Sequence, residues 1–200
     1  MRSVICVYGG VFMRVLIPLV MYMLIHDIYI YSIYVLYIGV DHVDTLASMS
    51  NLAKYYTEQG NYTAAEALLI QTYKIKTIKF LSGHTTTLAT MRALGHVYIL
   101  QHKYIECENM YIDCKEKCIK QYSDKGTETL IALDHLANYY TIQQQYDKAS
   151  SIYMDVYDIR AETLGDTHID TLSSLDTLSS FYILLQVSIY IYIVYYMYDI

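Results

Sequence analysis

The stretch that decides the fold is Thr45-Leu46-Ala47-Ser48-Met49-Ser50-Asn51-Leu52-Ala53-Lys54-Tyr55-Tyr56-Thr57-Glu58-Gln59-Gly60-Asn61-Tyr62-Thr63-Ala64-Ala65-Glu66. Leu46, Met49, Leu52, Ala53 and Tyr56 fall at steps of three and four, which places them on one face of a helix. Asn51, Lys54, Thr57 and Glu58 occupy its other faces. Gln59-Gly60-Asn61 then reads as a turn, with a glycine suited to a left-handed helix end. A second apolar series follows through Tyr62, Ala65, Leu69, Thr72 and Ile75. The stretch therefore encodes a helical hairpin, with helix A near 45–58 and helix B near 61–78.

This hairpin recurs. Thr-Leu stands at Thr45-Leu46, Thr87-Leu88, Thr129-Leu130 and Thr171-Leu172, 42 residues apart each time. His42, His84 and His168 precede it, with Gly126 in the remaining copy. Small residues line up at Ala53, Gly95, Ala137 and Ser179, and tyrosines at Tyr56, Tyr98, Tyr140 and Tyr182. Tyr62, Tyr104 and Tyr146 form another column, followed by Ala65, Cys107 and Ala149. The period predicts further pairs near 87–100 with 103–120 and 129–142 with 145–163, then a fourth helix A from about 171 to about 185. One hairpin cannot bury its own apolar face, whereas stacked copies bury a continuous core. The small columns let helix B approach helix A closely, and the tyrosines fill the space beside them. The unpaired fourth helix A would cap the third pair.

The order Asn51-Leu52-Ala53-x-x-Tyr56-x-x-x-Gly60-x-Tyr62-x-x-Ala65-Glu66 resembles the tetratricopeptide core pattern. The extra residues of the longer period lead into Leu164-Gly165-Asp166-Thr167-His168-Ile169-Asp170-Thr171-Leu172, as in the variant typical of kinesin light chains and their relatives. The resemblance covers about 39–185. It implies an all-α fold, a right-handed superhelix of stacked antiparallel helix pairs: three pairs plus one extra helix. The proline usual after the histidine is replaced by Val43, Thr85, Thr127 and Ile169, and the turn glycine survives only as Gly60, with His102 and Gln144 in its place later. A side chain at positive φ costs roughly 1 kcal/mol, so the second and third repeats either change their turn or carry strain.

The resemblance also implies a function. The A helices of this family line a concave peptide-binding groove, and the pattern maps Asn51, Lys54, Arg92, His96, His135 and Asn138 onto it. These supply donors and two permanent positive charges within an acidic chain of net charge −6. They suit an extended peptide with acidic and aromatic residues. The Lys and Asn set with which chaperone-tail grooves grip a terminal carboxylate is missing, so the kinesin-light-chain type is the nearer match. No sustained heptad pattern for heavy-chain binding is present, so cargo-adaptor function would not be complete in this chain. A fragment of a larger regulatory protein with a nucleotide-binding switch domain is the alternative among binding proteins.

Other chemistry finds little support. The net charge argues against nucleic-acid binding. Cys107, Cys114 and Cys118 share a helix, but Cys107 stands in a small-residue column and Cys114 aligns with Thr72 and Val156, as packed core thiols would. No metal or cofactor is expected. The recurring histidines read as a device of the loops between repeats. Phosphate-binding loops, dinucleotide fingerprints and nucleophile elbows are absent from the sequence, so no catalytic residue is assigned and no enzymatic activity is expected.

The ends differ from the middle. Residues 1–38 and 186–200 are apolar and rich in Tyr and Ile, and the stretch between them holds twelve of the fourteen basic and eighteen of the twenty acidic residues. Val15–Ile25 is continuously apolar and follows Arg2 and Arg14. It reads as a membrane anchor if it extends to Ile38, though it contains Pro18, and no small-x-small signal cleavage site follows. Alternating Ile-Tyr is also what a TA-dinucleotide tract encodes, so both ends can be read as translated intron or microsatellite around a genuine repeat domain. The location expected for the repeat domain is the cytoplasm, and the sequence sets no oligomeric state.

Overall fold

The computed structural model describes residues 29, 31–33, 35–37 and 39–198, with side chains placed as far as residue 187. The expected anchor at 15–25 lies outside the described residues. From residue 43 onward seven helices follow one another: α1 (Val43–Glu58), α2 (Tyr62–Phe80), α3 (Thr85–Leu100), α4 (Tyr104–Tyr122), α5 (Thr127–Ile142), α6 (Tyr146–Leu164) and α7 (Ile169–Tyr198). Tyr29, 31–33 and 35–37 are helical too, and no strand occurs among the described residues. The fold is all-α and tetratricopeptide-like, as the resemblance of the repeat columns implies. None of the described helices is long and apolar enough to cross a membrane.

The chain divides into two compact units, Met1–Leu81 and Ser82–Ile200. In the first, α1 and α2 form one hairpin. Leu46, Met49, Leu52 and Ala53 from α1 and Ala65, Leu69 and Thr72 from α2 are buried. Each fully buried leucine contributes roughly 1.5–3 kcal/mol. Gly60, at φ 74°, ends α1, and Asn61 Oδ1 accepts from the Ala64 amide to begin α2.

In the second unit α3 pairs with α4 and α5 with α6, while α4 packs on α5 and α6 on α7. A core of Cys107, Tyr111, Leu136, Ala137, Tyr139, Tyr140, Ala149, Tyr153 and Phe181 joins them. Gly95 shows what the small column does. A Cβ there would lie 2.5 Å from the Tyr111 ring, so only glycine admits the tyrosine at this approach. Phe181 of α7 packs on Tyr153 of α6, with ring centres 5.4 Å apart, so the fourth helix A does cover the third pair.

The anchor columns have distinct tasks. Thr45, Thr87, Thr129 and Thr171 are buried. Thr45 Oγ1 donates to the Gly39 carbonyl at 2.7 Å and Thr129 Oγ1 to the Ser123 carbonyl at 2.6 Å, tying each helix start to the loop before it. Each following leucine is buried except Leu172. The histidines are N-caps: Nδ1 of His42, His84 and His168 accepts from the Asp44, Thr86 and Asp170 amides respectively.

Two expectations are resolved by the backbone. The second and third repeats keep the turn of the first, with His102 and Gln144 both at φ 59° where Gly60 stands in the first. They therefore carry the strain rather than change the turn. The fourth helix A does not stop near 185 but runs on to Tyr198. Residues 186–198 contain neither glycine nor proline, and Gln186-Val187 stands where the earlier copies turn, so nothing in the sequence interrupts propagation.

Candidate functional site

The residues expected to bind peptide belong to both units. In the first, Asn51 and Lys54 are exposed on α1. The Lys54 ammonium stands 3.9 Å from Glu58, one turn along, in an open pair that leaves both groups solvated.

In the second unit, α3 carries Arg92 and His96 and α5 carries His135 and Asn138. His96 and Asn138 are exposed, and His135 is half-buried. The His135 ring stacks on Tyr111, with centres 5.8 Å apart and planes 28° apart. Its pKa is lowered, first by burial and then by the positive charges of Arg92 and His96. These three basic groups therefore share one electrostatic neighbourhood, and Asn138 lies on α5 about one turn beyond His135.

Arg92 does not stand there as a free cation. Its guanidinium donates to Glu128 Oε2 at 2.9 Å, and both side chains are largely buried. Periodicity explains this. Positions 50, 92 and 134 are equivalent on the A helices, and 76, 118 and 160 on the B helices. Each hairpin holds one cation between these columns. In the first, Lys76 donates to Ser50 Oγ at 3.1 Å. In the third, Arg160 donates to Asp134 Oδ2 at 2.9 Å and also to Ser174 Oγ. In the second the cation moves to helix A as Arg92, and buried Cys118 stands opposite. Arg92 is thus a packing cation that lends its field to the surface through His135. A basic residue recurring at the same position of helix B is the sequence signal for this arrangement, and the groove pattern passes over it.

The thiols are core groups. Cys107, Cys114 and Cys118 are free and buried. Burial and then the neighbouring Glu108 push the Cys107 pKa up to about 12. The Cys114 pKa is raised first by its hydrogen bond with Cys118 and then by burial. Among the described residues no group of three His, Cys, Asp or Glu could hold a metal ion.

Tetratricopeptide repeat profiles match residues 45–84 and 86–162, nearly all of the described hairpins. The chain belongs to the tetratricopeptide repeat family. Among solved structures, a kinesin-light-chain protein of Podosopora anserina with nearly identical TPR-like repeats matches at 24% identity and TM-score 0.67, over 82% of this chain and 77% of that one. A single-substitution variant of that protein matches at TM-score 0.68 with the same identity and coverage. BtubC (BKLC) from P. vanneervenii matches at 13% identity and TM-score 0.64, over 80% of this chain and 63% of that one. Among curated proteins no match is found. The repeats are thus of the kinesin-light-chain-like type in length and fold, and tetratricopeptide arrays are protein–protein interaction scaffolds.

Proposed function

We propose that this tetratricopeptide protein is a non-catalytic scaffold whose A-helix surface takes an extended peptide with acidic and aromatic side chains. The observation that carries the reading is the cluster on α3 and α5, where His96 and Asn138 are exposed beside half-buried His135. The field of Arg92 reaches this cluster although its hydrogen bonds are spent on Glu128. Carboxylates of a ligand would find imidazole and amide donors there, and the half-buried His135 ring, backed by the buried Tyr111 ring, leaves its outer part for contact with an aromatic side chain. Asn51 and Lys54 give the first unit a similar donor and cation. A kinesin-light-chain-like role and a cytoplasmic location agree with the repeat type.

The test is a fluorescence anisotropy titration of an acidic-aromatic peptide against the full chain and its His96→Glu/Asn138→Glu variant. Both positions are exposed, so the fold tolerates the change. The reading predicts at least about a tenfold loss of affinity in the variant. Equal affinity for both proteins rejects the surface.

A further inference from the structure

The last helix carries a second apolar face. At 100° per residue, the buried stripe Thr171, Ser174, Leu178 and Phe181 is centred ~125° from a stripe formed by Leu172, Leu175, Ser179, Tyr182, Ile183 and Val187. The first stripe packs on α6. The second is open: Leu172 is 50% exposed, Leu175 42% and Tyr182 43%. Their equivalents on α5 are Leu130 at 3%, half-buried Leu133 and Tyr140 at 8%. The difference is the helix that lies on α5, namely α6. Among the described helices α7 packs closely only on α6, chiefly through its other stripe; Tyr182, at the seam between the stripes, also reaches α6, its hydroxyl 3.1 Å from Ser150 Oγ and 3.5 Å from Met154 Sδ.

The two faces share their central residues. Leu130, Leu133, Asp134, Ala137 and Tyr140 on α5 correspond to Leu172, Leu175, Asp176, Ser179 and Tyr182 on α7. Ala to Ser keeps the small residue at the close approach, and Ile183 and Val187 extend the apolar stripe where α5 and the turn after it carry Thr141 and Gln145. Asp134 is matched by Arg160 of α6 at 2.9 Å. Asp176 is exposed at the edge of the open face, where the corresponding cation would reach it.

We infer that α7 is a docking face for one amphipathic helix supplied by another protein, a helix with the chemistry of α6. That helix would run antiparallel to α7, set a small residue against Ser179, and bring a Lys or Arg eleven positions later to Asp176, as Ala149 and Arg160 do for α5. A second copy of this chain is a poorer source. Its α2 and α6 are already engaged in their own hairpins, and α4 carries Cys118 where the cation is needed. This face is separate from the peptide surface on α3 and α5.

The test uses the full chain and a fluorescein-labelled peptide with the sequence of residues 145–165. Anisotropy should show saturable binding. Asp176→Lys in the protein should weaken it by roughly tenfold, and an Arg160→Glu version of the peptide should restore affinity for that variant and not for the parent. Leu175→Glu should abolish binding while leaving the circular dichroism unchanged. Three results would overturn the inference: no saturable binding, binding indifferent to Asp176→Lys, or a self-associated parent chain that Leu175→Glu converts to a monomer.

Discussion

Ser123 closes α4 at φ 76° and ψ 170°, a region that glycine occupies freely and other residues avoid. The equivalent positions are Gly39, Leu81 and Gly165, all at positive φ, so every repeat needs this bend and two of the four supply it without glycine. Such a residue carries about 1–3 kcal/mol of strain. Ser123→Gly removes the strain and keeps what the backbone does here: its amide donates to the Ile119 carbonyl at 3.0 Å, and its carbonyl accepts from Thr129 Oγ1 at 2.6 Å. The serine side chain is exposed, so no packing is lost. Against the gain stands about 0.4–1 kcal/mol for the freer unfolded chain. The net expectation is a stabilisation of about 0.5–2 kcal/mol, which in a chain of this size is a rise in melting temperature of about 2–6 °C. Urea denaturation followed by circular dichroism reads it as a higher midpoint at unchanged slope. Ser123→Ala is the control and should not stabilise, because alanine keeps the strained φ. A destabilised glycine variant, or an alanine variant as stable as the glycine one, would refute the assigned backbone geometry.

Other consequences follow from the core. Arg160→Met leaves the Asp134 carboxylate without its cation and should cost about 3 kcal/mol in urea denaturation, whereas adding Asp134→Leu should recover most of that loss. Gly95→Ala places a methyl group against the Tyr111 ring; after the better helix propensity of alanine is counted, a net loss of about 1–2 kcal/mol is expected. His135 has a lowered pKa in the folded chain, chiefly through burial and then through Arg92 and His96. Well above about pH 6.5 it is neutral in both states, and as the pH falls through that value the unfolded chain takes up the proton first. Stability should therefore fall as the pH drops from about 7.5 to about 5.5, and His135→Gln should flatten part of that slope.

The fold was legible because the hairpin signals repeat in register. Leu46, Leu88 and Leu130 are buried alike, and so are Ala53, Gly95 and Ala137. Periodicity does not report backbone strain, so His102 and Gln144 read as losses of the turn glycine although they hold the same left-handed turn. The end of α7 is not legible from the period, because a helix stops only where a residue or a docked neighbour turns it, and α7 runs on to Tyr198. The candidate site was less legible. His96 and Asn138 are exposed as the repeat pattern places them, but Arg92 is held by Glu128, thirty-six positions on and on the next helix A. A contact of that range leaves no local sequence signature. It becomes readable only when the B-helix positions of Lys76 and Arg160 are compared and the middle repeat is seen to hold Cys118 instead.

The measurement that tests the scaffold reading most directly is an amide NMR titration of the full chain with the acidic-aromatic peptide. The account predicts that the resonances of His96, His135 and Asn138, and of their neighbours on α3 and α5, shift first and saturate together. Shifts confined to α4 and α6, or a spectrum that does not change at saturating peptide, would contradict it.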